Sequence, residues 1–178
     1  MSPFTSSARQ AARQTGLAIR EARIVGSQHG YQHLMITLAG GRRAFAKVAA
    51  AGPAAAGEAA SDEMAAAFAA EASSLRWLAA ADAVPVPEVL AVTEAALVIS
   101  MIPPGHATPS AAFRFGTELA RMHAAGSENF GAPWRGFIAS LPLDNTPGAT
   151  GWPHWYASRR LLPYLRMAVD AGDRKSVV

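Results

Sequence analysis

A single lysine sits inside an apolar run, Ala44-Phe45-Ala46-Lys47-Val48-Ala49. The only other lysine is Lys175, and the remaining basic residues are arginines. A strand that carries a compact ammonium among apolar neighbours constrains the fold around it, because the charge has to reach water or an anion. At the edge of a sheet the stem can extend over apolar surface and keep the ammonium wet. Inside a sheet the ammonium needs an anionic partner, and a phosphate is a natural one. The strand alone leaves both readings open.

Its surroundings narrow the choice. Gly16–Ile24 is a short mixed stretch, strand or helix, and Gly26-Ser27-Gln28-His29-Gly30 reads as a glycine-bounded polar loop. In Tyr31–Leu38 the residues Leu34, Ile36 and Leu38 alternate on one face, the pattern of a strand. Gly40-Gly41 signals a hairpin, with Arg42–Ala49 as the return strand. Phe45 and Lys47 are two apart and leave the same face. After an alanine-rich connection containing Gly52 and Pro53, a helix is expected from near Ser61 to Ala81, with Phe68, Leu75 and Leu78 at helical spacing. Val84-Pro85-Val86-Pro87 enforces an extended segment. Glu88–Val92 and Ala96–Met101 read as two further strands, and Ile102-Pro103-Pro104-Gly105 as a linker. Pro109–Ala125 carries Phe115, Leu119 and Met122 at helical spacing. Residues Gly126–Gly151 read as loop, and Trp152-Pro153 opens a last helix with an apolar stripe of Trp155, Leu162, Leu165 and Val169. Pro163 should kink that helix.

Composition removes several classes of function. The 178 residues, 51% apolar and 16% charged, suit one folded domain or two small lobes. Zero cysteine excludes disulfides, thiolate metal sites and a cysteine nucleophile. The net charge of +3 comes from arginines spread along the chain, so no nucleic-acid partner is expected. No apolar stretch has the length of a membrane span, and Met1–Gln14 lacks the apolar core of a secretory signal, so a soluble cytoplasmic protein without a membrane partner is expected. His33, His106 and His154 share no metal-ligand spacing, and no metal site is expected. His123 closes the helix before Ala125 and reads as a structural hydrogen-bonding residue; His29 lies in the glycine loop, as a ligand contact or an exposed side chain. Trp134, Trp152, Trp155 and Tyr156 read as packing residues.

The order of loop, hairpin, lysine strand, helix with a glutamate, two strands, Pro-Gly linker and helices is the order of a protein-kinase-like N-lobe and the start of a C-lobe. The chemistry of that arrangement is specific. Glycines let backbone N–H groups approach ATP phosphates, a lysine on the following strand contacts them, and a helix glutamate holds the lysine. Glu71 suits that role, 24 positions after Lys47 on the one helix between the lysine strand and the next strand.

The chain resembles the fructosamine (ketosamine) kinase family. The resemblance runs from about Gly16 to Asp170 and rests on an ordered series. In the first half these are Phe45-Ala46-Lys47-Val48, Phe68-x-x-Glu71-Ala72-x-x-Leu75, Val84-Pro85-Val86-Pro87-Glu88-Val89-Leu90 and Leu97-Val98-Ile99. In the second they are Glu118-Leu119-Ala120-Arg121-Met122-His123, Asn129-Phe130-Gly131, Phe137-Ile138-x-Ser140-Leu141-Pro142, Asn145, Trp152 and Arg160-Leu161-Leu162-Pro163. The resemblance implies an α+β fold, a kinase-like N-lobe of antiparallel sheet plus one helix over residues 1–102. The first helices of an incomplete helical C-lobe follow over 103–172.

It also implies ATP-dependent phosphorylation of a sugar hydroxyl on a ketosamine, free or protein-bound, with Mg2+ in the full-length family member. Lys47 would bind ATP phosphates and Glu71 would pair with it, Ser100-Met101-Ile102 would meet adenine through backbone, and Phe45, Gly26 and Gly30 would complete the nucleotide site. Ser100 stands where family members often have glutamate, and Leu143 where they often have glutamine; the second departure bears on substrate contacts. An aminoglycoside- or choline-kinase-type phosphotransferase shares the lobe plan, and a non-catalytic, pseudokinase-like nucleotide-binding module is the alternative outside enzymes.

The family's catalytic aspartate lies in a His-Gly-Asp-Leu segment and its metal-binding one in a later Asp-Pro; neither occurs in this sequence. The chain alone is therefore expected to be inactive. Asp173-Arg174-Lys175-Ser176-Val177-Val178 corresponds in one frame to a widely used sequencing adapter, so 173–178 is expected to be a non-native tail on a C-terminally truncated copy.

Overall fold

The computed structural model describes residues 15–28, 30–49, 58–138, 141–149 and 151–172. His29 and the expected tail, 173–178, lie outside the described residues. The described chain falls into two compact units, one up to Gly126 and one from Ser127.

The first unit is built on a five-stranded antiparallel sheet in the order β1-β2-β3-β5-β4. The strands are β1 (Ile19–Gln28), β2 (Tyr31–Leu38), β3 (Arg43–Ala49), β4 (Val89–Val92) and β5 (Ala96–Ser100). Helix α1 (Glu58–Ala79) joins β3 to β4, and α2 (Pro109–Ala125) follows β5. Strand β3 has a neighbour on each side, so Lys47 is not an edge lysine reaching water along its stem.

The mixed N-terminal stretch is a strand, and it runs further than expected. Gln28 pairs with Tyr31, so Gly26, Ser27 and Gln28 belong to β1 and not to a loop. The register shifts between Ile24 and Gly26, where a residue without a side chain bends the strand without ending it. Gly30, at φ +78°, adopts the left-handed conformation that closes the turn. The second hairpin closes through Gly41 at φ +81°, whose N–H donates to the Leu38 carbonyl at 2.8 Å.

Alternation gives the sheet two unlike faces. Leu34, Ile36, Ala44, Ala46, Val48, Ala96 and Val98, with Ala22, form one buried core. The odd-numbered residues of β2 and β3, including Tyr31, His33, Phe45 and Lys47, leave the other face. There α1 docks: Phe68 and Ala72 bury against Leu97, with Tyr31, Val89, Val92 and Ile99 around them. Strand β5 is thus buried on both sides, which is why Ala96-Leu97-Val98 reads as an unbroken apolar run.

Helix α1 begins at Glu58, ahead of the expected Ser61, since Ala59 and Ala60 extend the helix without needing a capping acid. It ends at Ala79, and Asp82 at φ +46° turns the chain away. Thr93 ties the β4–β5 turn by accepting from the Ala95 and Ala96 N–H groups at 3.3 and 3.1 Å. Helix α2 has the expected bounds, with Thr108 accepting from the Ala111 N–H at 3.1 Å and Pro109 in the first turn. None of its residues is buried in the described chain; Phe113 is 79% exposed.

In the second unit the expected loop holds a small sheet, β6 (Gly136–Ile138) against β7 (Leu141–Leu143), and a bridge between Phe130 and Gly148. Three-residue strands, one with a proline, carry too little alternation to be read from sequence. The last helix is interrupted as expected. Helix α3 (Trp152–Tyr156) passes through a π-helical turn, Ala157–Leu161, into α4 (Leu162–Asp170). Pro163 has no N–H and its ring crowds the preceding turn; the chain responds by widening there, and the Leu162 N–H reaches back five residues to the Ala157 carbonyl. Of the expected stripe, Trp155 is buried, while Leu162, Leu165 and Val169 are exposed among the described residues.

Candidate functional site

The lysine face of the first unit gathers most of the residues singled out from sequence. Lys47 faces His33 across β2 and Leu97 across β5. Its Nζ donates to both Glu71 oxygens, at 2.8 Å to Oε1 and 2.6 Å to Oε2. Helix packing makes this contact. Phe68, one turn before Glu71, is the largest fully buried side chain, and Ala72 beside it is small enough for the helix to approach the sheet closely. The two side chains are 30% and 35% exposed, so the ammonium is anchored yet open to solvent on one side. A lysine held this way is fixed in position and can still meet a second anion.

Phe45 lies on the same face, its ring 5.5 Å from that of His33. Gly26 pairs with His33, placing it in the row that runs through His33 to Lys47. Gly30 is at the tip of the same hairpin. At the far end of β5, the Ser100 hydroxyl accepts from the Glu88 N–H at 2.8 Å, and the Ser100 N–H donates to the Glu88 carbonyl at 2.8 Å. The Met101 N–H donates to the Arg43 carbonyl at 3.2 Å. The N–H groups of Ser100 and Met101 are therefore used within the sheet, and that of Ile102 has no partner among the described residues. Ser100 serves strand pairing, where a longer acid would have another reach.

Sequence reasoning gave no role to two residues on this face, Tyr31 and His33. The signal was present, since a period of two puts them opposite Leu34 and Ile36. Tyr31 meets Phe68 edge-on, with ring centroids 5.3 Å apart at 61°. Burial first, then the charges of Glu71 and Glu63, hold the Tyr31 phenol above its ordinary pKa.

In the second unit, residues 132–136 and 142–147 with Arg159, Pro163 and Tyr164 line a cleft of about 550 Å³. Asp144 accepts from the Thr146 N–H at 2.9 Å and hydroxyl at 2.7 Å, and pairs with Arg159. The Thr146 hydroxyl, then its N–H, and more weakly Arg159 hold the Asp144 carboxyl below the usual range. Arg160 donates to the Asp144 carbonyl and, at 2.6 Å, to Asn145 Oδ1, with its guanidinium 4.3 Å above the Trp155 ring. Glycine is required beside this cluster: a Cβ on Gly131 would stand 2.5 Å from the Asn145 carbonyl oxygen. Leu143, at the expected departure, lines the cleft half-buried. His123 is exposed, and the structural hydrogen bond expected of it finds no partner among the described residues. Trp152 is half exposed and stacks on the buried Trp155 at 5.9 Å. No helix among the described residues is long and apolar enough to cross a membrane.

The profile of the fructosamine kinase family matches residues 3–177. No curated protein sequence matches. Among solved structures, a "putative fructosamine-3-kinase" from Thermobifida fusca YX-ER1 is 37% identical over 94% of this chain and 55% of its own, with a TM-score of 0.78. One described in the same words from Haemophilus somnus 129PT is 19% identical over 92% of this chain and 54% of its own, with a TM-score of 0.69, and supports the fold. The chain thus spans about half the length of these two structures. With the five-stranded sheet, the docked helix and the lysine–glutamate pair in place, this chain belongs to the fructosamine kinase family.

Proposed function

We propose that this chain is the nucleotide-gripping part of an ATP-dependent small-molecule kinase that phosphorylates a sugar hydroxyl of ketosamines. The observation that carries the reading is the two-pronged Lys47–Glu71 contact on a central strand. In this reading Lys47 binds ATP phosphates and Glu71 keeps its ammonium from swinging away. The hairpin bearing Gly26 and Gly30 approaches the phosphates through backbone. Phe45 and the backbone of Ser100–Ile102 meet the base, with Ile102 as the available N–H donor. Residues 1–102 act as the N-lobe and 103–172 as the start of the C-lobe. ATP supplies the phosphoryl group; these residues bind and orient it.

Phosphoryl transfer also needs an aspartate at the substrate hydroxyl and carboxylates for magnesium. The sequence has no His-Gly-Asp and no Asp-Pro, and among the described residues no cluster of three or more His, Asp or Glu suits a metal ion. The residues described do not fit a magnesium site, so the 178 residues alone are expected to bind nucleotide without turning it over. That same lack supports the second reading, a non-catalytic nucleotide-binding module.

Calorimetric titration with ATP and with adenosine tests the proposal. ATP should bind well above adenosine, because the phosphates carry the Lys47 contact. Equal affinities, or no ATP binding, would contradict it.

A further inference from the structure

Tyr31 stands where three parts of the lysine face meet. It is the first residue of β2, directly after the hairpin tip at Gly30, and it pairs with Gln28 and with Ala49, two positions beyond Lys47. Its ring rests edge-on against Phe68. Phe68 is 1% exposed and lies one helical turn before Glu71, so the two share a face of α1. The same cluster includes Leu97, the cross-strand neighbour of Lys47. Chain continuity therefore links the hairpin tip to Tyr31, packing links Tyr31 to Phe68, and one turn of helix links Phe68 to the acid that holds Lys47.

From this geometry we propose that Tyr31 is a positioning residue, whose ring couples the glycine hairpin to the Lys47–Glu71 pair so that nucleotide at the hairpin and closure of the pair favour each other. The proposal rests on the nucleotide-binding reading above and deepens it. The ring carries the coupling, not the hydroxyl, which makes no hydrogen bond among the described residues. Burial and the nearby carboxylates keep that hydroxyl protonated, so the ring stays neutral against Phe68. An aromatic edge-to-face contact has a preferred geometry, which an aliphatic side chain of similar volume does not reproduce.

The experiment is a double-mutant cycle on ATP affinity, measured calorimetrically on the 178-residue chain well below its melting temperature. Tyr31→Phe should bind ATP within twofold of the unmodified chain. Tyr31→Leu, which keeps a large apolar side chain and guards against a variant that does not fold, should bind about three- to tenfold more weakly. In a Glu71→Gln background the same Leu substitution should change affinity less than twofold, because the pair it acts through is already weakened. A packing role alone would lower the melting temperature and leave the affinity of the folded protein unchanged. The proposal is overturned if Tyr31→Leu binds like the unmodified chain, or if its effect is undiminished beside Glu71→Gln. If the unmodified chain binds no ATP, the nucleotide reading itself falls and takes this one with it.

Discussion

Replacing Phe68 by alanine should cost the first unit more than any other single truncation in its core. Half of the larger core cluster is alanine, namely Ala22, Ala44, Ala46 and Ala96, so few side chains supply apolar volume. Phe68 heads the fully buried ones, and its ring is enclosed by α1 on one side and by Leu97, Tyr31, Val89, Val92 and Ile99 on the other. Truncating a buried phenylalanine removes its transfer free energy and leaves a cavity, together costing about 3–5 kcal/mol. The lost edge contact with Tyr31 is part of that figure and amounts to roughly 0.5–1.5 kcal/mol. Whole domains are stable by only about 5–15 kcal/mol, so the variant should be close to unfolded at moderate denaturant. With a urea slope of about 2 kcal/mol per molar, the midpoint should fall by roughly 2 M. The assay is urea unfolding followed by far-ultraviolet circular dichroism. Phe113→Ala serves as control: that ring is 79% exposed, and its loss should change stability by no more than about 0.5 kcal/mol. A Phe68→Ala cost below about 1 kcal/mol, or one matched by the control, would mean that α1 is not docked through Phe68 and that the account of how Glu71 reaches Lys47 is wrong.

Two further outcomes follow from the second unit. Gly131→Ala should destabilise it by roughly 2–4 kcal/mol, because φ is +88° there and a Cβ would meet the Asn145 carbonyl and the Trp155 ring; loss of the tryptophan near-ultraviolet dichroism at lower temperature reports it, and an unchanged melt would refute the close packing. The depressed Asp144 pKa predicts a pH dependence of definite sign. Its stabilising effect is fully present above the unfolded aspartate value and is lost as pH falls through the lower folded value, so Asp144→Asn should flatten the acid side of the stability profile and leave a smaller loss on acidification; an unaltered profile would contradict the Thr146 and Arg159 contacts.

Much of the lysine face was legible in the sequence because period and punctuation agreed. Alternation through Leu34 and Ile36, the Gly40-Gly41 turn and the two-residue offset of Phe45 and Lys47 define a hairpin and its faces together. The partner of Lys47 was legible for another reason: a charged strand residue needs an anion, and Glu71 lies between the apolar Phe68 and Leu75 on the one helix between the lysine strand and the next. What failed to show was set by long-range geometry. Gly26 looked like a loop residue, yet continued pairing with His33 keeps it in a bulged strand. Strands β6 and β7 are too short for alternation to declare them. Tyr31 and His33 were visible as odd-numbered strand residues, but only the position of α1 and of the Phe45 ring gives them neighbours.

The most direct test of the central claim is the ATP affinity of Lys47→Ala beside that of the unmodified chain. A charge-assisted contact to phosphate contributes about 1.5–3 kcal/mol. The account therefore predicts affinity at least about tenfold weaker in the variant, with adenosine binding unaffected. Equal ATP affinity in the two proteins would contradict it.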